Sequence, residues 1–149
     1  MTETPPPLRK TARSLPIALL RARETVMGPI REMLAKSSIS EQKWRVLRVL
    51  DEMGPVEQTA IADAACLLLP SLTRILFAME KDGYLARRTD DHDRRKSIVE
   101  LTEAGRALIA RHADESNAIM TRLEQRFGEK KVAELLDLLE ELRGSGPRE

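Results

Sequence analysis

Pro70-Ser71-Leu72-Thr73-Arg74-Ile75-Leu76-Phe77-Ala78-Met79-Glu80-Lys81-Asp82-Gly83 is followed by Tyr84 to Thr89, the charged run Asp90-Asp91-His92-Asp93-Arg94-Arg95-Lys96, and Ser97 to Leu101. The first part has helical periodicity: Leu72, Ile75, Leu76 and Met79 share one side. Arg74, Phe77 and Lys81 lie opposite, with Ser71 and Thr73 at the flanks. Pro70 opens this helix and Asp82-Gly83 closes it. The second part reads as two strands around a charged loop, a β-hairpin. Taken alone, the helix is an ordinary amphipathic element with a solvated arginine. A hairpin directly after it predicts a winged helix-turn-helix. Its small polar start allows close approach to a major groove, and arginine can reach guanine O6 and N7. No Ser, Thr, Asp or Asn caps the helix, which leaves its first N–H groups open to a phosphate.

Working outward, a short third helix is expected over Thr59–Ala65, joined to the fourth by Cys66-Leu67-Leu68. Val56 to Gln58 leaves room for one short strand. The second helix starts at Ser40 as its cap, with Ile39 and Trp44 placed for a hydrophobic staple, and stops at Met53-Gly54-Pro55. The first runs from Ser14, a cap, to Ala35, with Pro16 in its first turn and a kink expected at Gly28-Pro29. Downstream, Thr102 caps a long fifth helix, and Phe127-Gly128 separates it from a sixth over Glu129–Arg143. The predicted fold is mainly α. A winged helix-turn-helix DNA-binding domain occupies residues 36–102, and residues 14–35 and 103–143 form dimerisation helices. Residues 1–13 are expected to be a flexible arm and 144–149 a tail.

Two terminal features demand a partner. Leu15, Ala18, Leu19, Ala22, Val26, Ile30 and Met33 form a stripe that Ile17 and Leu20 widen beyond one contact face. Val132, Leu135, Leu136, Leu138, Leu139 and Leu142 crowd a short last helix. Burying such leucines is worth roughly 1.5–3 kcal/mol each, so a tight homodimer reading a palindromic site is expected.

Composition narrows the function. In 149 residues, 42% are hydrophobic but only 3% aromatic, so the core must be aliphatic, as in packed helices. The single cysteine, Cys66, excludes an internal disulfide framework and fits a reducing cytoplasm. With only His92 and His112 besides, neither a metal cluster nor a catalytic set is expected, and no cofactor. The longest apolar run, Ala64 to Leu69, is too short for a membrane span, and the polar, proline-rich start does not resemble a signal peptide. Net charge is only +1, but Pro5 to Arg23 holds five cations and no acid, while acids outnumber bases after Glu124. In the hairpin loop, Asp93 is expected to pair within the wing and fix its backbone, leaving Arg94 or Arg95 to enter a minor groove.

Asp91-His92-Asp93-Arg94-Arg95 followed by Val99-Glu100-Leu101-Thr102-Glu103-Ala104-Gly105-Arg106 resembles the wing signature of MarR-type regulators. Ala60-Ile61-Ala62, Pro70 to Arg74 and Met79 to Leu85 are similar to that family's helix-turn-helix, in order and correctly spaced from Ser14 to Leu142. Ser14 to Glu24, Glu41 to Arg45 and Ala65 to Thr73 are closest to the branch that represses homoprotocatechuate degradation operons. Cys66 departs from the pattern, which commonly has glycine in that turn.

The resemblance implies a repressor released by an aromatic acid bound between the dimer helices and the winged domain. Arg21 and Arg23 offer forks for a carboxylate, and Trp44 and His112 offer stacking or hydrogen bonds. Trp44 also reads as simple core, and one arginine as a salt-bridge partner. The alternatives are another phenolic effector, oxidation of Cys66, or a protein-binding module that never touches DNA. Cys66 stands beside three leucines and is expected to be buried and slow to react.

Overall fold

Ser40 Oγ accepts the Lys43 amide (3.2 Å) and Thr102 Oγ1 that of Gly105 (3.2 Å), the side-chain caps that start α2 (Glu41–Met53) and α5 (Glu103–Phe127). The computed structural model describes Thr2–Pro147. Its other elements are α1 (Leu15–Ala35), β1 (Val56–Glu57), α3 (Gln58–Ala64), α4 (Leu69–Lys81), β2 (Leu85–Thr89), β3 (Ser97–Leu101) and α6 (Glu129–Gly144). A 3-10 turn over Thr11–Arg13 precedes α1, within the segment expected to be a flexible arm. Ser14 occupies the cap position of α1, but its side chain makes no capping bond, and the helix continues through Pro29. The expected strand through Gln58 stops at Glu57, because Gln58 already belongs to α3.

Three helices end in the same hydrogen-bonded reversal. After α1, Ile39 N–H donates to Leu34 O (3.2 Å); after α3, Leu67 to Ala62 (2.9 Å); after α4, Tyr84 to Met79 (3.0 Å). The residue before each donor is left-handed: Ser38 (φ 53°), Cys66 (φ 54°) and Gly83 (φ 84°). Cys66 therefore keeps the conformation that glycine adopts freely, at a cost of about 1 kcal/mol. It is exposed, not buried as its leucine neighbours suggested. In this reversal the left-handed residue faces out and the next one turns in, so Leu67 packs against the core instead.

The sheet runs β1-β3-β2, antiparallel throughout, with Val99 paired to both Val56 and Arg87. Leu85 and Val99 turn inward to meet Ile30, Met33 and Leu34 of α1, Trp44, Val46, Leu47 and Leu50 of α2, Ile61 of α3, Leu72, Leu76 and Met79 of α4, and Leu108 and Ile119 of α5. The apolar side of α4 is thus buried, with Ile75 at its margin. Before Ile30, α1 buries nothing, and α6 buries nothing along its length. Their leucines at 15, 19, 20, 135, 136, 138, 139 and 142 stand 38–63% exposed. No single described helix is long and apolar enough to cross a membrane.

One junction fixes the hairpin to the helices. Thr102 Oγ1 donates to Gly83 O (2.6 Å) and Thr102 N–H to Tyr84 O (3.1 Å). Gly105 lies so close to Tyr84 O that a β-carbon would overlap it. Gly105→Ala should therefore lower unfolding stability by about 2 kcal/mol or more, read from urea denaturation. A variant as stable as the parent would show that the junction has slack.

Candidate nucleic-acid interface

The outward side of α4 carries Thr73, Arg74, Phe77 and Lys81, all exposed, with Ser71 half-buried. Phe77 is 64% exposed and Leu68, at the cap position, 78%, so the apolar groups here are presented to solvent. Leu68 provides no side-chain cap. Arg74 and Lys81 have no ion-pair partner among the described residues. Thr73 is more engaged than its position on a helix wheel suggests. Its hydroxyl donates to Leu69 O (3.0 Å) and accepts from Gln58 Nε2 (2.7 Å). Gln58 does not stand out in the sequence, where Val56 to Gln58 reads as a short strand.

The helix is held from behind. Glu80 accepts the Arg87 amide (3.0 Å) and its guanidinium (3.2 Å), tying α4 to β2. The Arg87 guanidinium holds the Glu80 carboxyl below its ordinary range. Arg45 of α2 donates to Ala65 O (2.9 Å), supporting the turn between α3 and α4.

Aspartates organise the wing. Asp93 accepts the Arg95 amide (3.0 Å) and Arg95 Nε (3.2 Å), while Asp90 accepts the His92 amide (3.0 Å). These are the local turns that Asp side chains form with amides two residues on. The bond from Arg95 lowers the Asp93 pKa. Arg95 is thereby folded onto Asp93, and Arg94 is left exposed, with no ion-pair partner among the described residues. Lys96 Nζ meets Glu57 Oε1 (3.0 Å), anchoring the wing beside β1, and this bond raises the Lys96 pKa. Arg88 on β2, which no motif in the sequence singles out, is also exposed.

The four candidate effector residues divide. Trp44 and His112, both buried, meet edge to face with ring centroids 5.9 Å apart. His112 Nε2 lies 2.7 Å from Ser37 Oγ, and Ser116 is buried one turn further along α5. Arg23 Nη2 pairs with Glu41 Oε1 (2.8 Å), three residues before Trp44. Glu41 also takes Arg31 Nε (3.2 Å), and Arg31 forks onto Glu24 through bonds of 2.6 and 2.9 Å. Arg23 first and then Arg31 lower the Glu41 pKa, and Arg31 lowers that of Glu24. Arg21 is exposed, and no described contact brings its side chain to the other three.

The sequence pattern of the MarR family matches residues 39–97, from the residue before the α2 cap to the start of β3. The homoprotocatechuate degradative operon repressor of Escherichia coli is 38% identical over 133 residues, covering 89% of this chain and 90% of the relative. The chain belongs to the MarR family. MarR regulators of known structure share its whole fold. NadR in complex with 4-hydroxyphenylacetate is 34% identical with a TM-score of 0.78, over 88% of this chain and 96% of NadR. The transcriptional repressor CouR bound to a 23-mer DNA duplex is 30% identical with a TM-score of 0.79, over 89% of this chain and 94% of CouR. As a MarR fold, α3 and α4 are the helix-turn-helix and β2–β3 the wing. Such relatives are transcriptional regulators.

The carboxylates predict the acid limb of stability. Glu80, Asp93, Glu41 and Glu24 have lowered pKa values in the folded chain. Their contribution is present above the ordinary carboxylate range and is lost as pH falls through the lowered values. Urea midpoints should therefore decline below about pH 5, and less steeply in Glu80→Gln. An equally steep decline in that variant would remove the Glu80–Arg87 pair from the account.

Proposed function

We propose that this MarR protein is a homodimeric, sequence-specific repressor of an aromatic-acid catabolic operon, of the homoprotocatechuate or hydroxyphenylacetate type. The observation that carries the reading is the exposed face of α4 beside a wing whose Asp93 has taken up Arg95 and left Arg94 outward. Ser71, Thr73, Arg74, Phe77 and Lys81 address the major groove and its flanking phosphates. Asp93 and Arg95 shape the wing, and Arg94 enters the minor groove. The exposed leucines of α1 and α6 support the dimer: residues 14–35 and 103–143 interlock two chains, and residues 36–102 read one half-site each. The regulator works in the cytoplasm and performs no catalysis.

An aromatic carboxylate releases it. Arg23 is the better placed of the two arginine candidates, since it already holds a carboxylate one turn from Trp44. An incoming acid would compete with Glu41 for it, loosening α1 from α2 and shifting the two reading helices. Exposure of Cys66 in the helix-turn-helix turn favours a second reading, in which its oxidation lowers DNA affinity. Loss of operator binding in peroxide that a Cys66→Ser variant resists would select it.

Selection of bound fragments from the organism's own genome should recover a palindromic operator. On that operator Arg94→Ala should weaken binding and lower the salt slope by about one ion, measured by anisotropy over a salt series. A parent that binds no DNA even at low salt would sink the repressor reading. Homoprotocatechuate or 4-hydroxyphenylacetate should reduce operator affinity in the same assay. Unchanged affinity with both would leave the repressor and remove this effector class.

A further inference from the structure

We propose that Gln58, the first residue of α3, reads adenine at one position in each half of the operator, held for that purpose by Thr73 of α4. The inference rests on the DNA-binding reading above and adds to it a residue outside the recognition helix. The available hydrogens fix the direction of this contact. The Thr73 hydroxyl has one, and it lies 3.0 Å from the Leu69 carbonyl, which has none to give. The hydroxyl proton is thus committed to Leu69, and toward Gln58, at 2.7 Å, the oxygen can only accept. The amide must therefore turn its nitrogen to Thr73. One N–H is used, and the second N–H and the carbonyl oxygen have no protein partner among the described residues.

That remaining pair is one donor beside one acceptor on a planar group. Adenine presents the complementary pair in the major groove, N7 accepting and N6–H₂ donating, and glutamine matches it through two bonds. Guanine presents two acceptors there and would leave the glutamine oxygen facing one of them. Gln58 is suitably placed, because it lines a notch with Thr59, Leu69 and Thr73 on one side and Lys96 and Ser97 of the wing on the other. Glu57, the acid next to it, is paired with Lys96, so its charge is compensated where phosphates would approach.

A structural tie between α3 and α4 is the competing role. Ile61 of α3 and Leu72 of α4, both fully buried, already belong to one core, and a solvent-exposed bond adds little to such packing. What the bond does provide is a side chain ordered before the DNA arrives, which reduces the entropy lost on binding.

The test uses the full chain and a series of operators in which each base pair is replaced in turn. The parent should disfavour loss of adenine at one symmetric position by about tenfold or more. Gln58→Ala should abolish discrimination there and leave other positions and the salt slope unchanged. Thr73→Val, which cannot accept a hydrogen bond, should relax the same position, and Thr73→Ser should restore it. The proposal is overturned if Gln58→Ala keeps the parent's preference at every position, or weakens all operators equally. A parent that binds its operator in either case leaves the repressor reading standing; one that binds no DNA overturns both.

Discussion

The contact between Thr102 and the turn at Gly83-Tyr84 determines how the reading elements relate to the rest of the chain. At that point α4 has just ended, β2 is about to begin, and β3 has returned to start α5. A single threonine caps α5 with its oxygen, gives its hydroxyl proton to one carbonyl and its amide to the next. Gly105 then allows α5 to close on the same turn. The recognition helix, the wing and the longest helix thus share one anchoring point, and none can reorient without straining the others.

The charge pattern of the wing follows a similar economy. A wing in a DNA-binding protein has little apparent use for three aspartates. Two of them serve the backbone, each accepting an amide two residues ahead, and the loop is closed by hydrogen bonds between Asp90, Asp93 and Lys96. Asp93 also engages Arg95. Negative charge is thereby exchanged for a defined shape, and the one arginine not drawn into it points outward. Net charge near zero is no obstacle when cations are sorted this way by position.

Much of this was legible in the residues. Caps at Ser40 and Thr102, the stop at Gly54, the break at Gly128 and the inward face of α4 follow from local rules that tertiary packing did not override. The features that were missed depend on relations between elements. Gln58 reads as the end of a strand, because its bond to Thr73, fifteen residues away, leaves no local signal. Leucine neighbours predict a buried Cys66, but the reversal after α3 turns only alternate residues inward. The candidate effector residues are the least legible. Trp44 and His112 meet only through the packing of α2 on α5, and the Arg23–Glu41–Arg31–Glu24 chain has no sequence spacing that announces it.

The length of α5 carries a mechanical consequence. Its 25 residues form an unbroken rod about 37 Å long at 1.5 Å per residue. One end is fastened to the base of the wing, and the other lies beside the helix whose leucines face outward. Such a rod works as a lever: at that length, a tilt of about 5° at the far end moves the near end by roughly 3 Å. A displacement of that size is comparable to the spacing between successive base pairs. A small tilt of α5 where it meets α6 is therefore enough to shift the base of the wing by about one base-pair step, without any change in the wing's own shape.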